Sequence, residues 1–399
     1  MNTEKKLVLE LSRCFDYDEK RVKKLLDETK DFQFVLGHLL YNRMGGSAYY
    51  ILKKCNLLGE LNREVVKTLE SIYKYNRIKN IEFKRQLIDF SKIFKRASFD
   101  HAFLKGAFLA NNLYRKGLRT SNDFDILVNP SDIDKCTELL ITNGFTQGKV
   151  AQGQIIPATR REIIYSRMNK GETVPFLKNG RYGEIVEVDV NFSMDYKASE
   201  TWLIREMLSN TVKFIIGKFG GSMVEVSEEN YHKGQNLLDT LSPTDFLIHL
   251  CCHLYKEATT YEWVKMGRDL SIYKFCDIYG FLRKYGNAEF MGLLELKINH
   301  YGLQKECYYA LYNTGTIFGS VYETEGFWEL LSKIKPADLT FMKTVVSPEE
   351  DREYTYEMDF VEWLFTVNKI EKLNSKEGED DDNSPYGMSN NFLRLGWVW

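Results

Sequence analysis

Phe103-Leu104-Lys105-Gly106-Ala107, followed by Arg119-Thr120-Ser121-Asn122-Asp123-Phe124-Asp125-Ile126-Leu127-Val128, decides how this chain is read. A Lys-Gly turn stands before a helical stretch, and two aspartates two residues apart open an apolar run. Alternate side chains of a β-strand share a face, so Asp123 and Asp125 project the same way, roughly 6–7 Å apart along the strand. Phe124 and Ile126 point to the opposite face. Two like charges held this close repel and lose solvation, and a divalent cation is the usual reason to tolerate them. Hard oxygen ligands suit magnesium, which is commonly held by one or two carboxylates plus substrate phosphates. The pattern predicts a metal-dependent phosphoryl- or nucleotidyl-transfer site.

A second acidic strand lies further on. Ile185-Val186-Glu187-Val188-Asp189-Val190-Asn191 alternates strictly, with Glu187, Asp189 and Asn191 on one face and the valines on the other. Two carboxylates from one strand and a third from a neighbour are what a two-metal transfer site needs; Glu187 and Asp189 are both candidates for the third.

Outward from these strands, the patterning predicts an α+β protein: a small mixed-sheet core between helical regions. Residues 1–97 read as helices with breaks near Gly45-Gly46 and Gly59, and 65–93 has apolar residues at helical spacing. A strand at 102–104 leads through Lys105-Gly106 into a helix reaching about Lys116, closed by Gly117. The strand 124–128 stops at Asn129-Pro130, and a helix capped around Ser131 ends at Asn143-Gly144. Residues 163–167 and 182–192 read as strands with a turn at Asn179-Gly180, and 211–216 with 223–226 as a hairpin. The chain is helical again from Ser242 to about Ile370. An acidic linker follows at 377–383, then an aromatic tail at 392–399 that docks on the body or on a partner.

Composition narrows the function classes. The 399 residues are 44% hydrophobic and 14% aromatic, enough for a sizeable core. Fifty-four basic against 56 acidic residues give a net charge of −2, which argues against a nucleic-acid coat or a membrane-surface binder. Seven scattered cysteines without a CxxC imply reduced thiols. The opening MNTEKKLVLELSRCF has charges where a signal peptide has an apolar stretch, and no window reads as a transmembrane span, so a cytoplasmic protein is expected.

Taken together, these features resemble the nucleotidyltransferase superfamily of the DNA polymerase β type. More specifically, they resemble uncharacterised bacterial nucleotidyltransferases with a Lys-Gly version of the turn. The resemblance rests on Tyr75-Asn76-Arg77, Leu104-Lys105-Gly106, Tyr114, Gly117-Leu118-Arg119, Asp123-Phe124-Asp125-Ile126-Leu127-Val128 and Asn143-Gly144-Phe145. Leu241-Ser242-Pro243, Leu250, His253 and Arg268-Asp269-Leu270 extend it, over about residues 30–285 in all. The patterning along the chain divides it into a helical region (1–97), a core read as the nucleotidyltransferase unit (98–235), a second helical region (236–372) and the linker and tail (373–399).

The implied chemistry is transfer of an NMP group from an NTP, ATP in the first instance, to a nucleophile with release of pyrophosphate. Asp123 and Asp125 would bridge two Mg2+ ions, and Glu187 or Asp189 would hold the second and accept the acceptor's proton. Lys105 and the Gly106 amide suit phosphate oxygens, and Arg119 either clamps the triphosphate or pairs with Asp123 or Asp125. A small molecule, peptide or protein is favoured over RNA as acceptor, because RNA binding usually brings a basic stripe. The rival readings are a catalytically degenerate binding fold and a metal-dependent phosphotransferase.

Other motifs read more plainly. His249 and His253 share a helix face but lack the Glu of HEXXH, so they are expected to pack. Arg268-Asp269 reads as an ion pair, and residues 217–222 lack the spacing of a phosphate-binding P-loop.

Overall fold

The computed structural model describes residues 1–197, 201–217, 223 and 236–375. Its centre is a six-stranded mixed sheet of β1 (His101–Phe103), β2 (Asp123–Val128), β3 (Thr146–Ala151), β4 (Gln154–Pro157), β5 (Phe176–Asn179) and β6 (Ile185–Asn191). The strands lie in the order β1-β2-β6-β5-β3-β4. β2 and β6 run parallel, whereas every other neighbouring pair is antiparallel. Helices precede and follow this sheet, so the α+β class predicted from the patterning holds.

The two faces of β2 have different fates. The helix Arg63–Phe94, capped where the Asn62 side chain accepts the Glu64 N–H, buries Leu69, Phe83, Leu87, Phe90 and Phe94. Phe83 stacks on Phe124 with ring centroids 4.3 Å apart, and Phe90 meets the same ring at 4.6 Å. The apolar face of β2 is thereby sealed by this long helix, and the aspartates face the other way.

Several local expectations are corrected. Residues 163–167 lie in the helix Arg160–Asn169, not in a strand, because Thr159 and Glu162 form a capping box that starts a helix there. The helix expected to reach Lys116 is one α-turn, Gly106–Phe108, running into a π-turn, Leu109–Leu113. Within it Asn112 donates to the Ile215 carbonyl at 2.8 Å, a tertiary bond that periodicity does not reveal. β7 (Val212–Ile215) pairs with β8 (Leu237–Thr240), whereas 224–226 lie outside the described residues. The region from Ser242 onward is not purely helical. It includes a three-stranded sheet of β9 (Thr344–Ser347), β10 (Arg352–Thr355) and β11 (Asn374–Ser375), ordered β11-β10-β9. The acidic linker and aromatic tail also lie outside the described residues.

All seven cysteines are free thiols. Among the described residues no helix is long and apolar enough to cross a membrane.

Phe124 is the load shared between sheet and helix, at 1% exposure. Phe124→Ala is expected to cost about 3–5 kcal/mol, read as a lower urea midpoint, and Phe124→Leu markedly less.

Candidate active site

The parallel register brings the acidic residues together. Asp123 lies opposite Glu187 and Asp125 opposite Asp189, so two pairs of carboxylates share one face of adjacent strands. Asp125 is buried; Asp123, Glu187 and Asp189 are half-buried. Glu172 joins them through a bridge to Asn191, just beyond Asp189 on β6.

Lys105 answers this charge. Its ammonium donates to Asp125 Oδ1 at 2.7 Å, the closest compensation the carboxylates receive. Burial alone would lower the lysine pKa, but the charges of Asp125, Glu257 and Asp123 outweigh it and raise it above the ordinary range. The backbone of Lys105 is left-handed, with φ +39°, a strained conformation for a residue with a side chain. Gly106 follows under a hard steric limit: a Cβ there would lie 1.9 Å from Ser121 Oγ, so no larger residue fits.

One ammonium does not balance the cluster. Burial, and then the charge of Asp125, raise the pKa of Asp123, with Lys105 offsetting part of the effect. Asp189 is pushed well above the usual carboxylate range by burial and by Asp123, Asp125, Glu172 and Glu187. Glu187 rises to about 6 through burial and the charges of Asp123 and Asp125, with Arg268 opposing.

The family of uncharacterised nucleotidyltransferases matches residues 29–319. The chain belongs to this family. No curated protein gives a significant match to it. NMP transfer is the chemistry this membership assigns in general, and the protein is accordingly a transferase that takes an NTP substrate.

In this nucleotidyltransferase the donor chemistry of the cluster fits a divalent cation, since every acidic group on the shared face offers hard oxygen ligands. As they stand, no three His, Cys, Asp or Glu side chains among the described residues form a ready metal cluster, and Lys105 turns one oxygen of Asp125 toward itself.

Arg119 is placed differently from the aspartates' other neighbours. It is 8% exposed, and its Nε and Nη2 each donate to Asp277 at 2.8 Å, while Nη1 donates to the Thr120 carbonyl. Its partner is Asp277 of the helix Ile272–Tyr285, not Asp123 or Asp125. Asp269 likewise pairs with Lys369 at 2.5 Å rather than with its neighbour Arg268, which acts on Glu187 instead.

Sequence reasoning overlooked Glu257 and Lys274. On the helix Pro243–Thr259, Glu257 accepts an ion pair from Lys274 at 2.6 Å and contacts His253 Nδ1 at 3.1 Å. Burial favours its neutral form, but His253, Lys274 and Lys105 hold its pKa far below the usual range. The i, i+4 spacing of His253 and Glu257 is the signal that would have found it. Burial keeps His249 neutral, as expected of a packed face.

Two measurements follow from this geometry. Asp277→Ala strands a buried guanidinium and should cost about 3–5 kcal/mol, with Arg119→Met in the same chain recovering most of the loss in urea unfolding. For Glu187, a folded pKa near 6 lies above the ordinary 4.5 of an unfolded chain, so the folded state loses stability as pH rises from about 4.5 to about 6. In chelator, Glu187→Gln should therefore gain on the wild type across that window; an unchanging difference would contradict the assignment.

Proposed function

We propose that this protein is a magnesium-dependent nucleotidyltransferase that moves an NMP group from ATP or another NTP to a small molecule, peptide or protein. The observation that carries the reading is the parallel register of β2 and β6, which sets Asp123 and Asp125 beside Glu187 and Asp189. Asp123 and Asp125, with Glu187 or Asp189, would hold two Mg2+ ions, which neutralise charge on the triphosphate and make the acceptor hydroxyl more acidic.

The chain's own groups do the rest. Lys105 exchanges its carboxylate partner for a phosphate oxygen, and the Gly106 N–H supplies a second donor. Glu187 or Asp189, facing Asp123 and Asp125 across the parallel register, would accept the acceptor's proton. Arg119, engaged with Asp277, positions the Thr120–Asn122 approach to β2, and its direct use on a triphosphate would require giving up that pair.

One observation favours a second reading, a non-catalytic nucleotide-binding fold: the Lys105–Asp125 pair occupies an oxygen that a metal ion needs. The same experiment separates the two. The protein with radiolabelled ATP, GTP, CTP or UTP and Mg2+ is expected to label an acceptor and release pyrophosphate. Asp123→Asn/Asp125→Asn should slow this by at least about a hundredfold. Nucleotide binding with no pyrophosphate release under any acceptor screen supports the non-catalytic fold, and release of a nucleoside diphosphate instead identifies a phosphotransferase.

A further inference from the structure

Lys105 meets Asp125 because two strands deliver it there. The antiparallel β1–β2 register runs to Phe103 opposite Ile126, and the Leu104 N–H then donates to the Asp125 carbonyl at 2.9 Å. Lys105 comes next; its own carbonyl accepts the Leu109 N–H at 2.9 Å, and its φ of +39° breaks from the strand direction. Backbone hydrogen bonds on both sides thus fix where its side chain begins, beside the aspartate it contacts.

The contact itself is a single point. Nζ donates to Asp125 Oδ1 at 2.7 Å, with the lysine side chain 17% exposed and the aspartate 7%. An ammonium carries three donors, and among the described residues this is the one hydrogen bond it makes. Arg119 differs: it grips Asp277 through two nitrogens and the Thr120 carbonyl through a third. A flexible four-carbon stem with one contact can change partners without disturbing the fold, whereas a buried fork cannot.

The pair stands where a divalent cation would be held. A cation approaching Asp125 meets a positive charge already on one of its oxygens, in an enclosed place where charges are poorly screened. The neighbouring acids offer the ammonium little refuge. Asp125, Glu257 and Asp123 are the acids whose charges act most on Lys105. Glu257 is already engaged by Lys274 at 2.6 Å and His253 Nδ1 at 3.1 Å, and Asp123 belongs to the same cation site. An anion brought from outside the chain supplies the missing partner.

We propose that Lys105 is an electrostatic latch on the carboxylate cluster, released by the polyphosphate of an incoming nucleotide. Until then it holds Asp125 and turns a lone divalent cation away, so cation and nucleotide are taken up together. The inference rests on the nucleotidyltransferase reading above. It also gives the Lys105–Asp125 pair a place in a catalytic protein, as its resting state. Binding linkage is reciprocal: a nucleotide that frees Asp125 strengthens the hold on the cation, and the cation strengthens the hold on the nucleotide by the same factor.

The test is Mn2+ binding to the full chain without nucleotide, counted by the paramagnetic resonance of the free ion. Lys105→Met should bind Mn2+ about tenfold or more tightly than the wild type, within the usual range of such couplings. Lys105→Asn, which suits a left-handed backbone, should do the same and guards against a variant that folds poorly. Adding Asp125→Asn should abolish the gain. Arg268→Gln removes an exposed cation whose charge acts on Glu187, and should change the affinity by less than about threefold. Mn2+ with α,β-methylene-ATP should raise the unfolding midpoint of the wild type, whereas Mn2+ alone should raise that of Lys105→Met and not of the wild type. Wild type and both lysine variants binding Mn2+ alike, while the analogue with Mn2+ still stabilises, would overturn the latch and leave the nucleotidyltransferase reading standing. An equal gain from Arg268→Gln, or a gain that survives Asp125→Asn, would overturn it as well. No stabilisation by the analogue with Mn2+ in any of these proteins would overturn the reading and the latch together.

Discussion

The parallel pairing of β2 with β6 is locked by what lies behind it, and the position of every acidic group at the candidate site follows from that lock. Phe124, Ile126, Val188 and Val190 are all essentially inaccessible to water. A strand's side chains alternate with period two, so a slip of one residue would carry Glu187 and Asp189 to the apolar side and expose the valines in their place. Apolar burial on one face thus fixes carboxylate geometry on the other. The energy that gathers like charges comes from the hydrophobic core, not from the charges themselves.

The charge that results is distributed among few cations. Lys105 holds one oxygen of Asp125 from a strained backbone, and Gly106 admits no substitute beside Ser121. Behind this turn, Arg119 and Asp277 form a buried pair that joins the segment leading into β2 to the helix Ile272–Tyr285. Glu257, Lys274 and His253 form another group close enough for Glu257 to act on Lys105. Such pairs contribute little net stability but penalise any arrangement that separates their members, so they tie the sheet to the following helices in one geometry.

What could be read from residues alone divides along physical lines. The carboxylates were legible because alternation is a local property: Asp123, Asp125, Glu187 and Asp189 each stand in a strand whose apolar partners reveal its faces. The helix Arg63–Phe94 was legible for the same reason, at a different period. The helix Arg160–Asn169 was not, because its run of Ile163, Ile164 and Tyr165 imitates a strand, and only the Thr159–Glu162 cap betrays it. Partners distant along the chain escaped altogether. Arg119 and Asp277 are 158 positions apart, and nothing local in either one names the other. The shortened turn after Lys105 belongs to the same class, since Asn112 answers to Ile215 rather than to its own helix.

The Asp269–Lys369 pair bears on where this molecule can be cut. The family match stops at residue 319, yet Asp269 is fully enclosed and takes its counter-charge from a lysine a hundred positions later. The segment carrying that lysine also contributes Trp363, itself wholly enclosed, and β9, which bridges to Thr260 at the end of the helix bearing Glu257. Trimming the chain to the matched boundary would remove the counter-charge of the buried Asp269 and the bridge to Thr260. The homologous stretch is therefore shorter than the packed unit in which Asp269 finds its counter-charge.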